Sequence, residues 1–147
     1  MDDSSNHVPW CPNASRVLRY NQNRGPGFAR QFGLDRTNLP YIMFLDTGDA
    51  FISKEVQKKI VDIVTSDPEV EFWSFPYFHY GELTNEEDNR LHGKVYKRSF
   101  LEKYGITFPF LYLDEDIGFN RACRLCTTMR FVLLPVIDQI KEANSIT

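Results

Sequence analysis

Two carboxylates, Asp46 and Asp49, follow directly after an apolar run of strand length at residues 41–45. Hard divalent cations prefer oxygen ligands, and a diphosphate leaving group needs its charge neutralised. This placement predicts that the pair holds Mg²⁺ or Mn²⁺. The same residue types are also typical of an ordinary turn that leads into a helix. Both interpretations stay open on these residues alone.

A second acidic group, Asp114, Glu115 and Asp116, precedes apolar residues at helical spacing. A carboxylate here could take a proton from an acceptor hydroxyl as a general base. Acidic side chains in a first helical turn also cap the helix and favour its dipole, and this is the role we expect for Asp114. Glu115 and Asp116 leave that turn in different directions, so only one of them can readily face a pocket.

Two further segments combine glycine with basic side chains. Residues 23–27 form a glycine-rich turn before a helix, whose free amides could face a phosphate, and Arg30 lies one turn into that helix. His92, Gly93 and Lys94 place an imidazole and an ammonium beside a residue with no side chain, where a ligand could approach closely. Ordinary turns, a solvated arginine and a solvent-facing strand explain these residues equally well.

The elements that must position these residues alternate between strand and helix. Strands are predicted at residues 17–20, 41–45, 70–80 and 131–136, helices at 28–34, 53–66, 99–104 and from 114, and loops at 1–16 and 81–89. Ser53 is the expected N-cap of the second helix, and Gly105 is expected to close the third. This order predicts an α/β fold with a mostly parallel sheet flanked by helices. Ligands in such sheets bind outside the carboxyl ends of strands, where Asp46 lies.

Composition excludes several classes of protein. The 147 residues, with 42% hydrophobic and 14% aromatic side chains, predict one packed domain over 1–147. No apolar run is long enough to span a membrane, and the acidic, polar start is unlike a signal peptide. A net charge of −3 with scattered basic residues disfavours nucleic-acid binding. Three cysteines, too few for a disulfide scaffold or a tetrahedral zinc site, suggest a cytoplasmic protein.

Five segments taken in order are more specific than any one of them. Residues 2–6, 23–30, 41–49, 92–101 and 115–117 resemble, in turn, the motifs "DDGS", "N-x-G-x-x-x-AR-N", "YI-x-FLD-x-DD", "GK-x-(Y/F)-(K/R)-RSFL" and "ED" of glycosyltransferase family 2. The resemblance covers almost the whole chain. It implies a GT-A fold, which is Rossmann-like, and transfer of a sugar from a nucleotide-sugar, expected to be a UDP-sugar, to a glycan or other hydroxyl acceptor. Inversion at the anomeric carbon and a Mg²⁺ or Mn²⁺ cofactor are implied as well.

The resemblance also implies roles for individual residues. Asp116 matches the carboxylate that deprotonates the acceptor. The remaining matches are Asp3, Arg30 and Asp46 for nucleotide binding, Asp46 and Asp49 for the metal, and His92, Gly93 and Lys94 for the donor-sugar and acceptor side.

The chain departs from the family pattern at three places. Gly48 replaces the usual central Asp of the metal motif, and Gln31 replaces an Asn. The family's opening strand, first helix and second strand would precede Asp2, so we expect an N-terminally incomplete GT-A domain with an open sheet edge that promotes self-association. A non-catalytic domain that binds or assembles is the main alternative. A nucleotidyltransferase-like domain is a third possibility, because its metal carboxylates can also follow a strand.

Overall fold

The computed structural model describes residues 14–85, 88–109, 111 and 113–139, together with the backbone of residues 2–3. This part of the chain contains four helices, α1 (Pro26–Asp35), α2 (Lys54–Ser66), α3 (Arg98–Tyr104) and α4 (Glu115–Cys126). Its ten strands are β1 (Asp2–Asp3), β2 (Arg19–Tyr20), β3 (Tyr41–Met43), β4 (Asp49–Phe51), β5 (Phe72–Ser74), β6 (Phe78–His79), β7 (Glu82–Leu83), β8 (Lys94–Lys97), β9 (Arg130–Phe131) and β10 (Ile137–Gln139).

The strands form small mixed sheets. One sheet has the order β3-β8-β5-β9, a second has the order β4-β10-β6-β7, and β1 pairs with β2 alone. The predicted α/β class is confirmed, but the expectation of a mostly parallel sheet is wrong. β8 lies between β3 and β5 and is antiparallel to both, whereas β5 and β9 are parallel. The direction of β8 depends on partners distant in sequence, which a strand pattern does not specify.

The central strands β5 and β8 carry apolar side chains on both faces. Phe72 and Tyr96 stack at 4.9 Å between ring centroids and belong to one core, while Trp73 and Val95 belong to the other. Side chains alternate between the faces of a strand, so each of these strands contributes to both cores. The first core is completed by α1, α3 and α4, and the second by α2 and the segment leading into β10.

Local sequence signals placed two helices correctly. The Ser53 hydroxyl accepts a hydrogen bond from the amide of Val56 at 3.3 Å and caps α2. Val56, Ile60 and Val64 are buried along one face of that helix, as their spacing predicts. Gly105 closes α3 with a left-handed backbone, φ 62°.

Several strand boundaries differ from the sequence-based expectation. The strand predicted at 70–80 is divided into β5 and β6 by a segment that contains Pro76, whose nitrogen cannot donate to a strand ladder. The strand predicted at 131–136 is also divided, because β9 ends at Phe131 and β10 begins at Ile137. β1 and β7 lie in segments predicted to be loop. Short strands of this kind are defined by their partners rather than by a local pattern.

The outer edge of β3 is open among the described strands and could promote self-association of the chain. β3 pairs with β8 on one side, and no strand within the described residues pairs with its other side. A cavity of about 540 Å³ lies there between α1 and β3. Unpaired backbone groups on a strand edge favour pairing with another chain. We therefore expect size-exclusion chromatography with light scattering to show mass that increases with protein concentration.

A charge beside that edge should reduce the association. Leu39, which is 66% exposed just before β3, is the position for this charge, and Leu125 on α4, 88% exposed, is the matched control. Leu39→Lys should shift the protein toward monomer, whereas Leu125→Lys should not. A monomer at every concentration for the unaltered chain would contradict the prediction.

Candidate functional site

Three side chains from separate parts of the chain meet at one point. Asp46 lies in the loop after β3, Asp49 begins β4, and His92 precedes β8. The Nε2 atom of His92 is 2.9 Å from Oδ2 of Asp49 and 3.5 Å from Oδ2 of Asp46. One ligand atom from each residue lies within 4.8 Å of the others, and no other such trio occurs in the described residues. This spacing suits a single metal ion.

The burial of this cluster supports the same interpretation. The side chains of His92 and Asp49 are only 10% and 3% exposed. Oδ2 of Asp49 and Nε2 of His92 face each other without meeting the angles of a good hydrogen bond, and Nδ1 of His92 is also buried without a hydrogen-bond partner. A buried polar atom without a partner costs roughly 1–3 kcal/mol. A divalent cation would satisfy the two facing atoms, and the residues therefore fit one.

Burial also raises the pKa of Asp49 above its ordinary value, and the neighbouring Asp46 adds to the rise while His92 opposes it. Two carboxylates close to each other are costly to ionise together. A cation between them would remove that cost.

The turn between the two carboxylates explains Gly48. The amide of Asp49 donates to the carbonyl of Asp46 at 3.2 Å, which closes the turn. Gly48 has φ 91°, in the region that favours glycine. Gly48, at a position where the motif of family 2 commonly has an Asp, therefore has the backbone freedom that this turn uses.

His92 is held by its neighbours on both backbone and ring. Gly93 has φ 67°, and a Cβ atom there would lie 2.1 Å from the carbonyl oxygen of Phe75. The amide of Phe75 donates to the carbonyl of Gly93 at 2.8 Å. The ring of Tyr77 stacks on the imidazole at 5.1 Å between centroids. Gly93 thus allows the close backbone contact that presents His92 to the carboxylates.

Lys94 lies below this turn and is 1% exposed. Its ammonium donates to the carbonyl of His92 at 3.4 Å and lies 3.8 Å from Oδ2 of Asp88. Burial lowers the pKa of Lys94 to about 8, although Asp88 opposes the shift. The family resemblance implies that Lys94 lines the donor and acceptor side. In the structure, its ammonium lies against the carbonyl of His92 and the carboxylate of Asp88.

Arg30 joins the metal cluster to the acidic turn. Its guanidinium donates to Oδ1 of Asp46 at 2.9 Å and also to Oε1 of Glu115. Burial acts to lower the pKa of Arg30, but the two carboxylates outweigh it and raise the pKa. Arg30 was predicted to contact a nucleotide, and the partners shown here are these two carboxylates. It fixes the start of α4 beside Asp46.

The three carboxylates of the acidic turn, those of Asp114, Glu115 and Asp116, have different environments. Asp114 occupies the N-cap position with φ 61°, but its side chain makes no capping hydrogen bond, so the predicted capping is wrong. Glu115 is buried and held by Arg30. Asp116 is half-buried, accepts a hydrogen bond from the amide of Ile117 at 2.8 Å and contributes to raising the pKa of Arg90. Glu115 and Asp116 have different partners, as expected.

The remaining predicted residues have structural explanations or lie outside the described side chains. A Cβ atom on Gly27 would lie 2.9 Å from the carbonyl oxygen of Pro109 and 3.1 Å from Cγ of Glu115, so this glycine allows α1 to pack closely on α4. Asp3 lies in β1 opposite Tyr20, and its side chain is outside the described part of the chain.

Sequence reasoning missed the residues that support His92. Tyr77 and Asp88 were assigned to a strand and a surface loop, and nothing in their local pattern distinguishes them from core or solvent-facing residues. Their importance comes from contacts with residues that are distant in the sequence.

The backbone contact at Gly93 predicts an unequal cost for two glycine substitutions. Gly105 also has a left-handed backbone, φ 62°, but a Cβ there meets nothing within 4 Å. Gly105→Ala should cost about 1–2 kcal/mol in free energy of unfolding, the cost of that conformation for a residue with a Cβ. Gly93→Ala should cost about 1–3 kcal/mol more because of the clash with Phe75. Urea unfolding measures both variants, and equal losses would contradict the proposed contact.

Comparisons with known proteins support the fold. No protein-family model and no curated protein matches the sequence. Among solved structures, the chain is similar to TarS 1-349 of S. aureus in complex with UDP-GlcNAc, at 16% identity and a TM-score of 0.72 over 85% of this chain and 41% of that chain. It is also similar to TarS 1-349 in complex with UDP, at 16% identity and a TM-score of 0.67 over 80% of this chain and 40% of that one. TarS 1-349 alone gives 15% identity and a TM-score of 0.69 over 82% of this chain.

These similarities concern the fold alone, because the identity is low. The chain also spans less than half the length of the structures that it matches. Among the described residues, no helix has the length and apolar character needed to cross a membrane. The chain therefore shares the α/β fold of the TarS structures, with mixed sheets.

Proposed function

We propose that this chain forms the donor-binding and catalytic part of an inverting glycosyltransferase of family 2 that transfers a sugar from a UDP-sugar to a hydroxyl acceptor. The observation that carries the proposal is the trio Asp46, Asp49 and His92, in which the facing buried atoms of Asp49 and His92 lack good hydrogen-bond geometry. The neighbouring structures with the same fold contain UDP-GlcNAc and UDP. Both ligands carry a diphosphate, which a divalent cation neutralises.

The chemistry assigned to the metal is charge neutralisation. Asp46 and Asp49 would hold Mg²⁺ or Mn²⁺, which stabilises the charge that develops on a diphosphate leaving group. Arg30 positions Asp46 through a charge-assisted hydrogen bond at 2.9 Å. Arg30 also balances the charge of Glu115, which reduces the repulsion among the carboxylates of Asp46, Asp49 and Glu115.

The cavity beside Asp46 is the proposed nucleotide site. It has a volume of about 540 Å³ and lies between α1 and the segment 42–47. Arg30 and Asp46 line it together with apolar residues, an arrangement suited to a planar base and a charged diphosphate. The wall contains Asn23, Gly25, Ala29, Leu34, Ile42 and Phe44.

Asp116 is the proposed general base. The carboxylate would accept the proton of the acceptor hydroxyl while that oxygen attacks the anomeric carbon on the face opposite the diphosphate. Glu115 is occupied by Arg30 and is buried, which leaves Asp116 as the half-buried carboxylate of this turn. The Arg30 bridge holds Glu115 at the start of α4 beside Asp46, and Asp116 is the next residue of that turn, which supports this assignment.

UDP binding should depend on a divalent cation. A ligand that binds only the folded state adds about 2.7 kcal/mol of stability at one hundred times its dissociation constant. We expect UDP with Mn²⁺ to raise the midpoint of thermal unfolding, and EDTA or Asp49→Ala to abolish the rise. Asp62→Ala, an exposed position on α2, is the control and should leave it intact.

Two results of this assay would change the assignment. Equal protection by UDP in EDTA and with Asp49→Ala would show that no metal is used. Stronger protection by a nucleoside triphosphate than by UDP or UDP-GlcNAc would favour a nucleotidyltransferase-like domain.

The base assignment is tested by turnover. Release of UDP from UDP-GlcNAc can be followed with water in place of the acceptor. Asp116→Asn should leave donor binding intact and lower kcat by roughly 10²–10⁴, the usual contribution of a general base. Asp114→Asn is the control and should retain most of the rate, since Asp114 is exposed at the N-cap. The reverse result would assign the base to Asp114, and binding without release by the unaltered chain would favour a non-catalytic domain.

A further inference from the structure

We propose that the β6–β7 hairpin and the cavity beside it bind a pyranose ring, so that the hydroxyl acceptor is itself a sugar residue. The inference rests on the proposed function in one respect, that Asp116 is the base which an acceptor approaches. It goes further by naming the chemical class of the acceptor and the residues that hold it. Those residues are His79, Tyr80, Glu82, Asp88 and Arg90.

The turn of this hairpin contains an unusual residue. Tyr80 and Gly81 connect the two strands, and His79 pairs with Glu82 across the turn. Both turn residues have positive φ, 51° and 88°, as the I′ type of two-residue turn requires. Asn, Asp or Gly is preferred at the first position, because positive φ is unfavourable for a bulky side chain. Tyr80 is therefore strained, and strain of this kind clusters at functional sites.

The strained turn presents an aromatic ring to solvent. Tyr80 is 59% exposed, and its ring lies against the imidazole of His79 at 4.4 Å between centroids. Leu83, which lines the cavity next to the hairpin, is 47% exposed. An aromatic ring has an apolar face of negative potential, against which the C–H groups on one side of a pyranose pack favourably. The hairpin thus offers a stacking surface for a sugar.

The cavity beside the ring combines hydrogen-bond donors with acceptors. It has a volume of about 360 Å³, and its lining includes His79, Glu82, Asp88 and Arg90. A hydroxyl group both donates and accepts, so it can bond to a carboxylate and to a guanidinium together. The two carboxylates would repel an anion, and Arg90 would repel a cation. The lining therefore favours a neutral ligand that carries several hydroxyl groups.

The polar groups of the cavity are held in place by one another. Nδ1 of His79 bonds to Oε1 of Gln139, and Nε2 of His79 lies 3.0 Å from Nη1 of Arg90. Because a neutral imidazole has one donor and one acceptor, His79 donates to Gln139 and accepts from Arg90. Nε of Arg90 donates to Oδ1 of Asp88 at 2.9 Å. Groups fixed in this way lose little freedom when a ligand binds, which favours affinity.

The cavity lies beside the helix that carries the proposed base. Asp116, Asn120 and Arg124 recur at every fourth residue and so share one face of α4. The side chain of Asn120 donates to the carbonyl of Asn89 at 2.6 Å, and that of Arg124 donates to the carbonyl of Asp88 at 3.5 Å. This face of α4 therefore packs on the segment that lines the cavity. A sugar held there approaches α4 on the face that carries Asp116.

Sugar binding to the chain, with no nucleotide or metal present, tests the proposal. The probes are the methyl pyranosides of glucose, galactose and mannose, with glycerol as an acyclic polyol and inorganic phosphate as an anion. Saturation-transfer NMR identifies the ligand protons that contact the protein, and amide chemical shifts locate the site. Tyr80→Asn removes the ring but keeps a residue that tolerates positive φ. Tyr104→Asn, at a tyrosine 43% exposed on α3, is its matched control.

A second pair of variants changes charge instead of the ring. Glu82→Lys places a positive charge at the cavity, and Glu102→Lys does the same at an exposed position on α3. Thermal unfolding establishes that each variant is folded. The sugar that binds is then added to the assay of UDP release from UDP-GlcNAc.

We expect at least one pyranoside to bind, with saturation transfer to its ring C–H protons and amide shifts in segment 79–90. Glycerol and phosphate should not displace it. Tyr80→Asn should weaken binding roughly 2- to 10-fold, the contribution typical of one aromatic contact. Glu82→Lys should also weaken binding, and both control variants should retain it. The bound pyranoside should raise UDP release above the rate with water, and Tyr80→Asn should raise the KM for that sugar.

The failure of this inference differs from that of the proposed function. If no pyranoside binds at the hairpin while UDP with Mn²⁺ still raises the midpoint of thermal unfolding, the inference is overturned and the proposed function stands. Displacement of the sugar by phosphate, or equal loss in the control variants, would also overturn the inference. Sugar binding by a chain that UDP does not protect would support the site and overturn the proposed function.

Discussion

The close contact between the backbones of Gly93 and Phe75 is the constraint on which the site depends. Phe75 follows β5 and Gly93 precedes β8, so their hydrogen bond at 2.8 Å continues the pairing of the two central strands. That pairing also joins the two cores, since each strand has a side chain in both. The turn that presents His92 is therefore supported by the most buried part of the protein.

Charge balance is the second organising feature. Carboxylates are concentrated around the cluster, and basic side chains lie against them. The half-buried Arg30 lies between Asp46 and Glu115, and the buried Lys94 lies beside Asp88. Removing a buried charge from its partner is strongly destabilising, so these pairs restrict how the site can change. The sequence resemblance implies that Arg30 and Lys94 contact a bound ligand. In the structure, both side chains are paired with carboxylates of the protein itself.

Fold and function rest on different kinds of observation. The TM-scores of 0.67 to 0.72 to TarS structures describe the arrangement of the backbone. Sites on a shared fold can have unrelated chemistry, so the activity is argued from the residues of this chain. The proposed transfer reaction uses three features of this chain. They are the trio of ligand atoms, the bridge that Arg30 makes, and the turn in which Glu115 pairs with Arg30 while Asp116 is the proposed base.

The sequence by itself determined the local features of this protein. The capping by Ser53, the buried face of α2, the glycine that closes α3 and the α/β order follow from patterns within about one or two helical turns. It also indicated Asp46 and Asp49 as a pair, because a strand and a tight turn bring them together. Only the tertiary structure decided the direction of β8, the partners of Arg30 and the approach of His92 to Asp49. The bond between Arg30 and Glu115 joins residues 85 positions apart, and the contact between His92 and Asp49 joins residues about 40 positions apart. Their geometry depends on how whole elements pack, which periodicity and spacing do not encode.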